Sequence, residues 1–546
     1  MPSLRLLAAL LVIATFVTPA AARTDLISRN ACASGAPCRP LKAMRLSGSL
    51  SAAPIPPAAD ALSRDANELR LAEIEAQIVR RPQDEFLLVE RAGLLMALGR
   101  VADGLADYDA AIRLNPAIPD FYAFRGLARW DGGRLEAAAE DFGALIKINP
   151  RNAWAYGNRG DIERTLGHRA AAYEDYSAAV EIEPRDSKSY FGRADVLFSA
   201  RFYAQAAEDY GASIALDSSD FAAYYNRALC YRNLGRFAEA ASDLEAARRL
   251  AGDDPRVLEI QARNAIDLDD LDAALVIAMA QLDVPGRAAD GYLTIGLVRI
   301  KQRDFDSAVE ALKYARSLGL DSPELFLALG TAFDNQNRLD EAIEAYGRAA
   351  EAEPLDRRPV RWRGEAQLQM DRYGLALVDF NRLIRDDPTD DAALRKRAAA
   401  LLRLNQTQDA LADATASIVL DPDSYEGRLI HGMTLLGVDR YADALAALDR
   451  ALAIRPDSAF AIYQRAIAQD LLDDKPAALA GYDRALQADP DLVGAYADRC
   501  DLKSRMGRLD DAPADCGKAL ERDPQSFSAL VARADEQRVL PLLRQS

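Results

Sequence analysis

The chain has 546 residues, a formal net charge of −17, 50% hydrophobic residues and 7% aromatic residues. This length exceeds what one hydrophobic core normally organises, so several domains or an array of repeats is expected. The acidic excess argues against nucleic acid and anionic membrane surfaces as partners, because both attract basic proteins.

Residues 1–22 are typical of a secretory signal peptide. Arg5 gives the N-terminal region a positive charge, residues 6–16 form an apolar run, and residues 20–22 are three alanines suited to cleavage by a signal peptidase. A membrane anchor is the weaker alternative, because the run is shorter than the roughly 20 residues that span a bilayer. We therefore predict an exported protein, periplasmic or secreted, with no membrane insertion after signal cleavage.

Residues 23–64 are rich in Pro, Ala and Ser, a composition that predicts a flexible linker without a core. Cys32 and Cys38 flank a short loop in this linker and could form a disulfide in an oxidising compartment. Residues 65–84 show the apolar spacing of one amphipathic helix, which predicts an N-terminal capping helix.

A 34-residue period follows. Prolines recur at this spacing from Pro82 to Pro184, and again in the same phase from Pro354 to Pro524. When each repeat begins three residues after a proline position, its eighth residue is always Gly, Ala or Cys, and its twentieth is Gly104 once and Ala thereafter. Such small residues indicate two helices that approach closely. Thirteen repeats fill residues 85–524, and residues 525–546 are predicted to be a C-terminal capping helix and tail.

These columns resemble those of the tetratricopeptide repeat (TPR) family over about four-fifths of the chain. The resemblance implies an all-α fold, a right-handed superhelix (α-solenoid) of stacked antiparallel helix pairs. It also implies that the first helix of each pair lines a concave groove, and that the groove holds protein or peptide partners.

Two charged columns occur together. Arginine stands at position 7 in nine of the thirteen repeats and aspartate at position 23 in eight, and all eight aspartates belong to repeats with the arginine. This predicts ion pairs between the two helices of a repeat, such as Arg227 with Asp243 and Arg363 with Asp379. The alternative, a row of anion-binding arginines, would need no matching aspartate.

Positions 2, 5, 9 and 12 lie on one face of the first helix, and we call them the first-helix stripe. The stripe varies strongly between repeats, as expected of a surface that does not pack internally, and the resemblance implies that it lines the groove. Its aromatic candidates are Phe86, Trp130, Trp154, Phe191, Phe198, Tyr225, Phe460 and Tyr463. Its predicted basic patch consists of Arg358, Arg361 and Arg395, with Arg403 just beside the stripe. The open alternatives are that the aromatics join neighbouring repeats and that the arginines form a solvated face.

The remaining cysteines leave two interpretations open. Cys500 and Cys516 occupy positions 8 and 24 of the last repeat, where the helices are closest, so either a disulfide or two small buried side chains would fit. Cys230 is expected to be buried.

Signals for catalysis are missing from the sequence. The two histidines lie in no metal-ligand spacing, and neither a phosphate-binding loop nor a nucleophile elbow occurs. We therefore predict no catalytic residues, no metal and no cofactor.

The sequence thus predicts a non-enzymatic exported scaffold or adaptor that binds protein or peptide partners in its groove. One alternative is an envelope assembly factor or holdase for unfolded or polymeric clients, and another is glycan binding or hydrolysis in the groove. The displaced prolines Pro255, Pro285 and Pro323 predict altered curvature or a hinge in repeats 5 to 8.

Overall fold

The structure, a computed structural model, describes residues 64–508 and 510–522. These residues form 27 α-helices, one before the repeats and two in each repeat. The chain order is α1 (Arg64–Arg80), α2 (Glu85–Ala97), α3 (Val101–Leu114), α4 (Pro119–Asp131), α5 (Leu135–Ile148), α6 (Ala153–Thr165), α7 (Arg169–Ile182), α8 (Ser187–Ser199), α9 (Tyr203–Leu216), α10 (Phe221–Asn233), α11 (Phe237–Ala251), α12 (Pro255–Asp267), α13 (Leu271–Asp283), α14 (Ala288–Lys301), α15 (Phe305–Ser317), α16 (Pro323–Asn335), α17 (Leu339–Ala352), α18 (Arg357–Gln369), α19 (Tyr373–Asp386), α20 (Asp391–Arg403), α21 (Thr407–Leu420), α22 (Tyr425–Gly437), α23 (Tyr441–Ile454), α24 (Ala459–Leu471), α25 (Lys475–Ala488), α26 (Val493–Arg505) and α27 (Ala512–Arg522).

The repeat boundaries follow local chemistry. Asp84 caps α2 by accepting a hydrogen bond from the Leu87 N–H, and Asp220 caps α10 in the same way at Ala222. The displaced prolines Pro255 and Pro323 are the first residues of α12 and α16, where a missing N–H costs nothing. Proline therefore continues to mark repeat starts where the periodic proline is absent.

The turn between the two helices of a repeat depends on position 15. This residue has a positive φ in all thirteen repeats, for example 79° at Gly99 and 66° at Arg201. Only five of the thirteen are glycine, so eight repeats hold an ordinary side chain in the left-handed region. The sequence analysis did not identify this column.

The small residues at position 8 face position 24 of the same repeat. A Cβ at Gly330 would lie 2.5 Å from the Tyr346 ring, and a Cβ at Gly432 would lie 2.6 Å from Leu448. In repeat 5, Ala228 packs in a buried cluster with Ala240 and Leu244. The 34-residue small-residue columns therefore mark the contact between paired helices.

The chain divides into two compact units between Arg287 and Ala288. Within residues 64–287, α1 and repeats 1 to 6 stack in chain order; within residues 288–522, repeats 7 to 13 do the same. The division falls in the interval for which the sequence predicts a hinge, and that hinge stays a prediction. Among the described helices, none is both long and apolar enough to cross a membrane.

Candidate functional site: the first-helix stripe

The charged columns meet between the paired helices. Arg227 of α10 holds Asp243 of α11 in a two-pronged contact, with Nε and Nη2 each 2.7 Å from a carboxylate oxygen. Arg363 and Asp379 repeat this geometry at 2.9 and 2.5 Å. The hydrogen bonds to Asp243 raise the pKa of the Arg227 guanidinium, so it stays charged. These arginines already have anionic partners inside the repeat, which favours a structural role.

A second carboxylate column was missed by the sequence analysis. Position 25 of one repeat reaches the position 7 arginine of the next, as Asp109 does to Arg125 at 2.6 Å and Asp483 to Arg499 at 2.6 Å. The signal was present, because aspartates at positions 109, 449 and 483 are spaced by multiples of the 34-residue period. The ion pairs therefore connect neighbouring repeats as well as paired helices.

The predicted stripe aromatics make mostly internal contacts. Edge-on ring contacts join Phe86 to Phe121 (5.7 Å), Trp154 to Phe142 (5.6 Å) and Phe191 to Tyr210 (5.4 Å). Trp130 and Phe460 also pack against core clusters as half-buried side chains, and Tyr225 does so in repeat 5. Phe86 and Trp154 thus join neighbouring repeats, which is the alternative left open by the sequence, whereas Phe191 contacts a ring of its own repeat.

Two of these aromatics need correction as surface candidates. Phe198 is 6% exposed and Tyr463 is 4% exposed, and both belong to hydrophobic core clusters. Neither side chain forms an accessible anchor, because side chains of other helices, such as Tyr203 at Phe198 and Tyr482 at Tyr463, pack against it. Phe86, by contrast, is 50% exposed and remains available for a partner.

The predicted basic patch is balanced by acidic side chains. Each arginine lies near a carboxylate in a helix, at a helix cap or in a turn. The pairs are Arg358 with Asp356 (2.8 Å), Arg361 with Asp390 (2.5 Å), Arg395 with Asp391 (2.9 Å) and Arg403 with Asp371 (3.5 Å). Arg403 also lies over the Tyr373 ring at 5.0 Å. An acidic ligand would therefore have to compete with these carboxylates.

A polar group, which we call the repeat 3–4 cluster, lies along α6 and α8. Tyr176 donates a hydrogen bond to Asp161 (2.6 Å), and Tyr210 donates one to Asp195 (2.5 Å). Arg164 stands between the two carboxylates, 3.5 Å from Asp161 and 3.8 Å from Asp195. Burial raises the pKa of the Asp195 carboxyl. The cluster is internally satisfied, which favours a role in positioning the stripe.

A related group, the repeat 12–13 cluster, joins α24 to α26. Tyr463 donates a hydrogen bond to Asp498 (2.7 Å), while Arg505 contacts Asp470 (2.5 Å) and Asp501 (2.8 Å). Burial, reinforced by the negative charges of Asp501 and Asp470, raises the pKa of Asp498 to about 6. Asp470 and Asp501 thus share the Arg505 guanidinium, whereas Asp498 is held by Tyr463 and can change its charge near pH 6.

The cysteines fall into three groups. Cys500 and Cys516 form a disulfide between α26 and α27, with their Cα atoms 5.4 Å apart. Cys230 is a free, buried thiol whose pKa is raised by burial. Cys32 and Cys38 lie outside the described residues.

Metal and nucleophile chemistry finds little support in the described part of the chain. No group of three or more His, Cys, Asp or Glu side chains there could hold a metal ion. His168 lies 2.7 Å from Glu163 in an exposed pair, and His431 occupies position 7, which holds arginine in nine other repeats.

Comparison with solved structures finds several TPR proteins. YrrB, described as a TPR protein with an unusual peptide-binding site, is 20% identical over 34% of this chain and 97% of its own, with a TM-score of 0.32. TTC0263, a thermophilic TPR protein of Thermus thermophilus, is 25% identical over 33% of this chain and 99% of its own, with a TM-score of 0.30. The APC/C hetero-tetramer Cut9-Hcn1 is 11% identical over 85% of this chain and 98% of its own, with a TM-score of 0.40. Comparison with curated protein sequences finds no match.

The family model for the tetratricopeptide repeat matches the chain in six stretches. These are residues 89–153, 125–189, 191–255, 293–359, 362–425 and 431–493, which together make up more than half of the chain. Each match begins within the first helix of a repeat and extends over about two repeats. The chain belongs to the tetratricopeptide repeat family.

Proposed function

We propose that this protein is an exported, non-enzymatic scaffold whose first-helix stripe binds a protein or peptide partner. The observation that carries the proposal is that different positions of the repeat have different roles. Positions 7, 8, 20 and 23 repeat along the chain and are used in helix–helix contacts, whereas the stripe differs in every repeat. Side chains that vary within a fixed framework are suited to recognise one particular partner.

Partner binding would combine partly exposed rings with paired charges. Phe86 offers accessible aromatic surface, and Arg358 offers a guanidinium whose partner Asp356 lies at the helix start. A carboxylate of a partner could exchange with Asp356 at little electrostatic cost, because the arginine keeps an anionic neighbour throughout. The paired charges would thus set orientation more than affinity.

Export is part of the same proposal and rests on residues 1–22 alone. Expression of the full chain in a Gram-negative host, followed by cell fractionation and N-terminal sequencing, tests it. We expect an exported form that begins at Arg23, and a cytoplasmic chain that keeps Met1 would contradict the proposal.

Affinity purification after mild crosslinking separates the alternatives. One partner recovered in fixed stoichiometry would support the scaffold, and a broad set of unfolded clients would instead favour a holdase. Hydrolysis of an envelope polymer that is lost in a single carboxylate variant, such as Asp195→Asn, would overturn the non-enzymatic assignment.

A further inference from the structure

The disulfide joins α27, the last described helix, to α26. Position 24 carries Tyr or Phe in seven repeats, Leu in three and Ala in two, whereas repeat 13 has Cys516 there. Cys500, Cys516 and Ala512 form a separate buried cluster of their own. The covalent bond thus stands where a large apolar side chain fills the contact between paired helices in ten other repeats.

Noncovalent contacts to α27 combine apolar packing with ion pairs, among them Arg522 with Asp491 (2.9 Å). Asp515 pairs with Arg499 and with Lys503 (2.8 Å), and Ala519 contributes to the neighbouring core cluster. Residues 510 and 511 form a turn, so α27 begins at Ala512, position 20 of its repeat, whereas the other described second helices begin at position 17. The disulfide closes a loop with a sequence separation of 16 residues, so reducing it gives the opened repeat more conformational freedom and lowers the stability of α27.

The helix against which α27 packs, α26, carries most of the repeat 12–13 cluster. Asp498, Asp501 and Arg505, three of the five cluster residues, lie on α26, and Cys500 lies between the two aspartates in sequence. Since α27 packs against α26, loosening α27 removes one of the supports of the segment that carries these side chains.

We propose that the Cys500–Cys516 disulfide is a thiol-operated latch that controls the order of repeat 13, and through it the geometry of the repeat 12–13 cluster. The cluster's part in partner binding rests on the proposed function; the latch itself does not. In the redox step, a thiolate of an external dithiol attacks one sulfur of the disulfide and forms a mixed disulfide. The second thiol of the reagent resolves it, so the reagent becomes a disulfide and the protein gains two electrons and two protons as two thiols.

Both sulfurs are buried, so exchange requires a local opening of repeat 13. This requirement makes the latch slow to respond while the repeat is closed. Cys230 supplies an internal reference, because its thiol is buried in the other compact unit and its raised pKa disfavours the reactive thiolate.

The test is peptide-resolved hydrogen exchange on the full chain, with and without dithiothreitol. We expect reduction to speed exchange in residues 512–522 by at least about tenfold, and in residues 497–505 by a smaller factor, with α24 and α25 unchanged. The matched variant is Cys500→Ala/Cys516→Ala, because repeats 6 and 10 already hold Ala at both positions. It should behave like the reduced protein in both buffers, and Cys230→Ala should respond as the wild type does.

Unchanged exchange in residues 512–522 after complete reduction, verified by alkylation of both thiols, would overturn the latch. Loosening confined to residues 512–522, with full protection kept at 497–505, would overturn its link to the cluster. This hydrogen-exchange readout involves no partner. Neither result therefore bears on the partner-binding proposal, which is tested separately by affinity purification.

Discussion

Arg465 pairs with Asp449 of the preceding repeat, with its Nε 2.6 Å from the carboxylate, instead of with a residue of its own repeat. Its own position 23 is Gly481, whose added Cβ would lie 2.7 Å from Ala466. The close helix approach in repeat 12 leaves no room for the usual aspartate. The arginine has therefore kept only the pairing between repeats.

This pair should contribute little to stability. Its side chains are 33% and 51% exposed, so solvent screens the interaction. We expect Arg465→Ala and Asp449→Ala each to cost about 0–1 kcal/mol, with a coupling energy in the same range. A double-mutant cycle on local opening free energies of α23 and α24 measures this coupling. A coupling well above that range would contradict the screening argument.

The pair within repeat 5 should behave differently. Arg227 and Asp243 are only 20% and 7% exposed, so Arg227→Leu leaves a buried carboxylate without its partner. We expect a loss of about 3–5 kcal/mol in the local stability of α10 and α11, measured by hydrogen exchange.

The matched control for Arg227→Leu comes from the chain itself. Repeat 8 holds buried Leu329 and Ala345 at the corresponding positions. Arg227→Leu/Asp243→Ala should therefore recover most of the lost stability, because no charge is stranded. A double variant as unstable as the single one would show that the ion pair is not the source of the loss.

Gly192 makes room for the repeat 3–4 cluster. A Cβ at this position would overlap the ring of Tyr176, whose hydroxyl holds Asp161. We expect Gly192→Ala to destabilise repeats 3 and 4 by about 1–3 kcal/mol through overpacking. The control is Gly374→Ala, where nothing lies within 4 Å of the added carbon and the helix should be unchanged or slightly more stable. Equal effects of the two substitutions would contradict the packing account.

Asp498 should make the stability of repeat 13 depend on pH. Burial raises its folded-state pKa to about 6, above the roughly 3.9 of an unfolded aspartate. The folded state therefore binds this proton more tightly, so the associated stability is complete below about pH 4 and is lost as the pH rises through about 6. Asp498→Asn should lack this loss.

The measurement for Asp498 is hydrogen exchange of α26 in both proteins from about pH 4 to about pH 7.5, corrected for intrinsic exchange rates. The stability difference between variant and wild type should shift in favour of the variant as pH rises. A difference that is independent of pH would contradict the raised pKa.

The sequence predicted the helix pairs well because each 34-residue column reports one recurring contact. The starts of α2, α4 and α18 fall three residues after Pro82, Pro116 and Pro354, as the period requires. Exposure along the stripe was less predictable. Phe198 and Tyr463 have the spacing of surface residues, yet side chains of other helices bury them, and a single helical face does not contain that information. The position 15 turn was missed because arginine, aspartate or asparagine replaces glycine there in eight repeats, so no glycine column marks it.

The central claim, that the first-helix stripe is the binding surface, is tested most directly by site-specific photocrosslinking in cells. A benzoylphenylalanine at Phe86 and one at Arg358 report from the stripe, and matched probes at Glu245 and Leu375 report from exposed positions on second helices. We predict discrete adducts of defined mass from the stripe positions and none from the second-helix positions. Equal adduct formation at both sets, or adducts only from the second helices, would contradict the account.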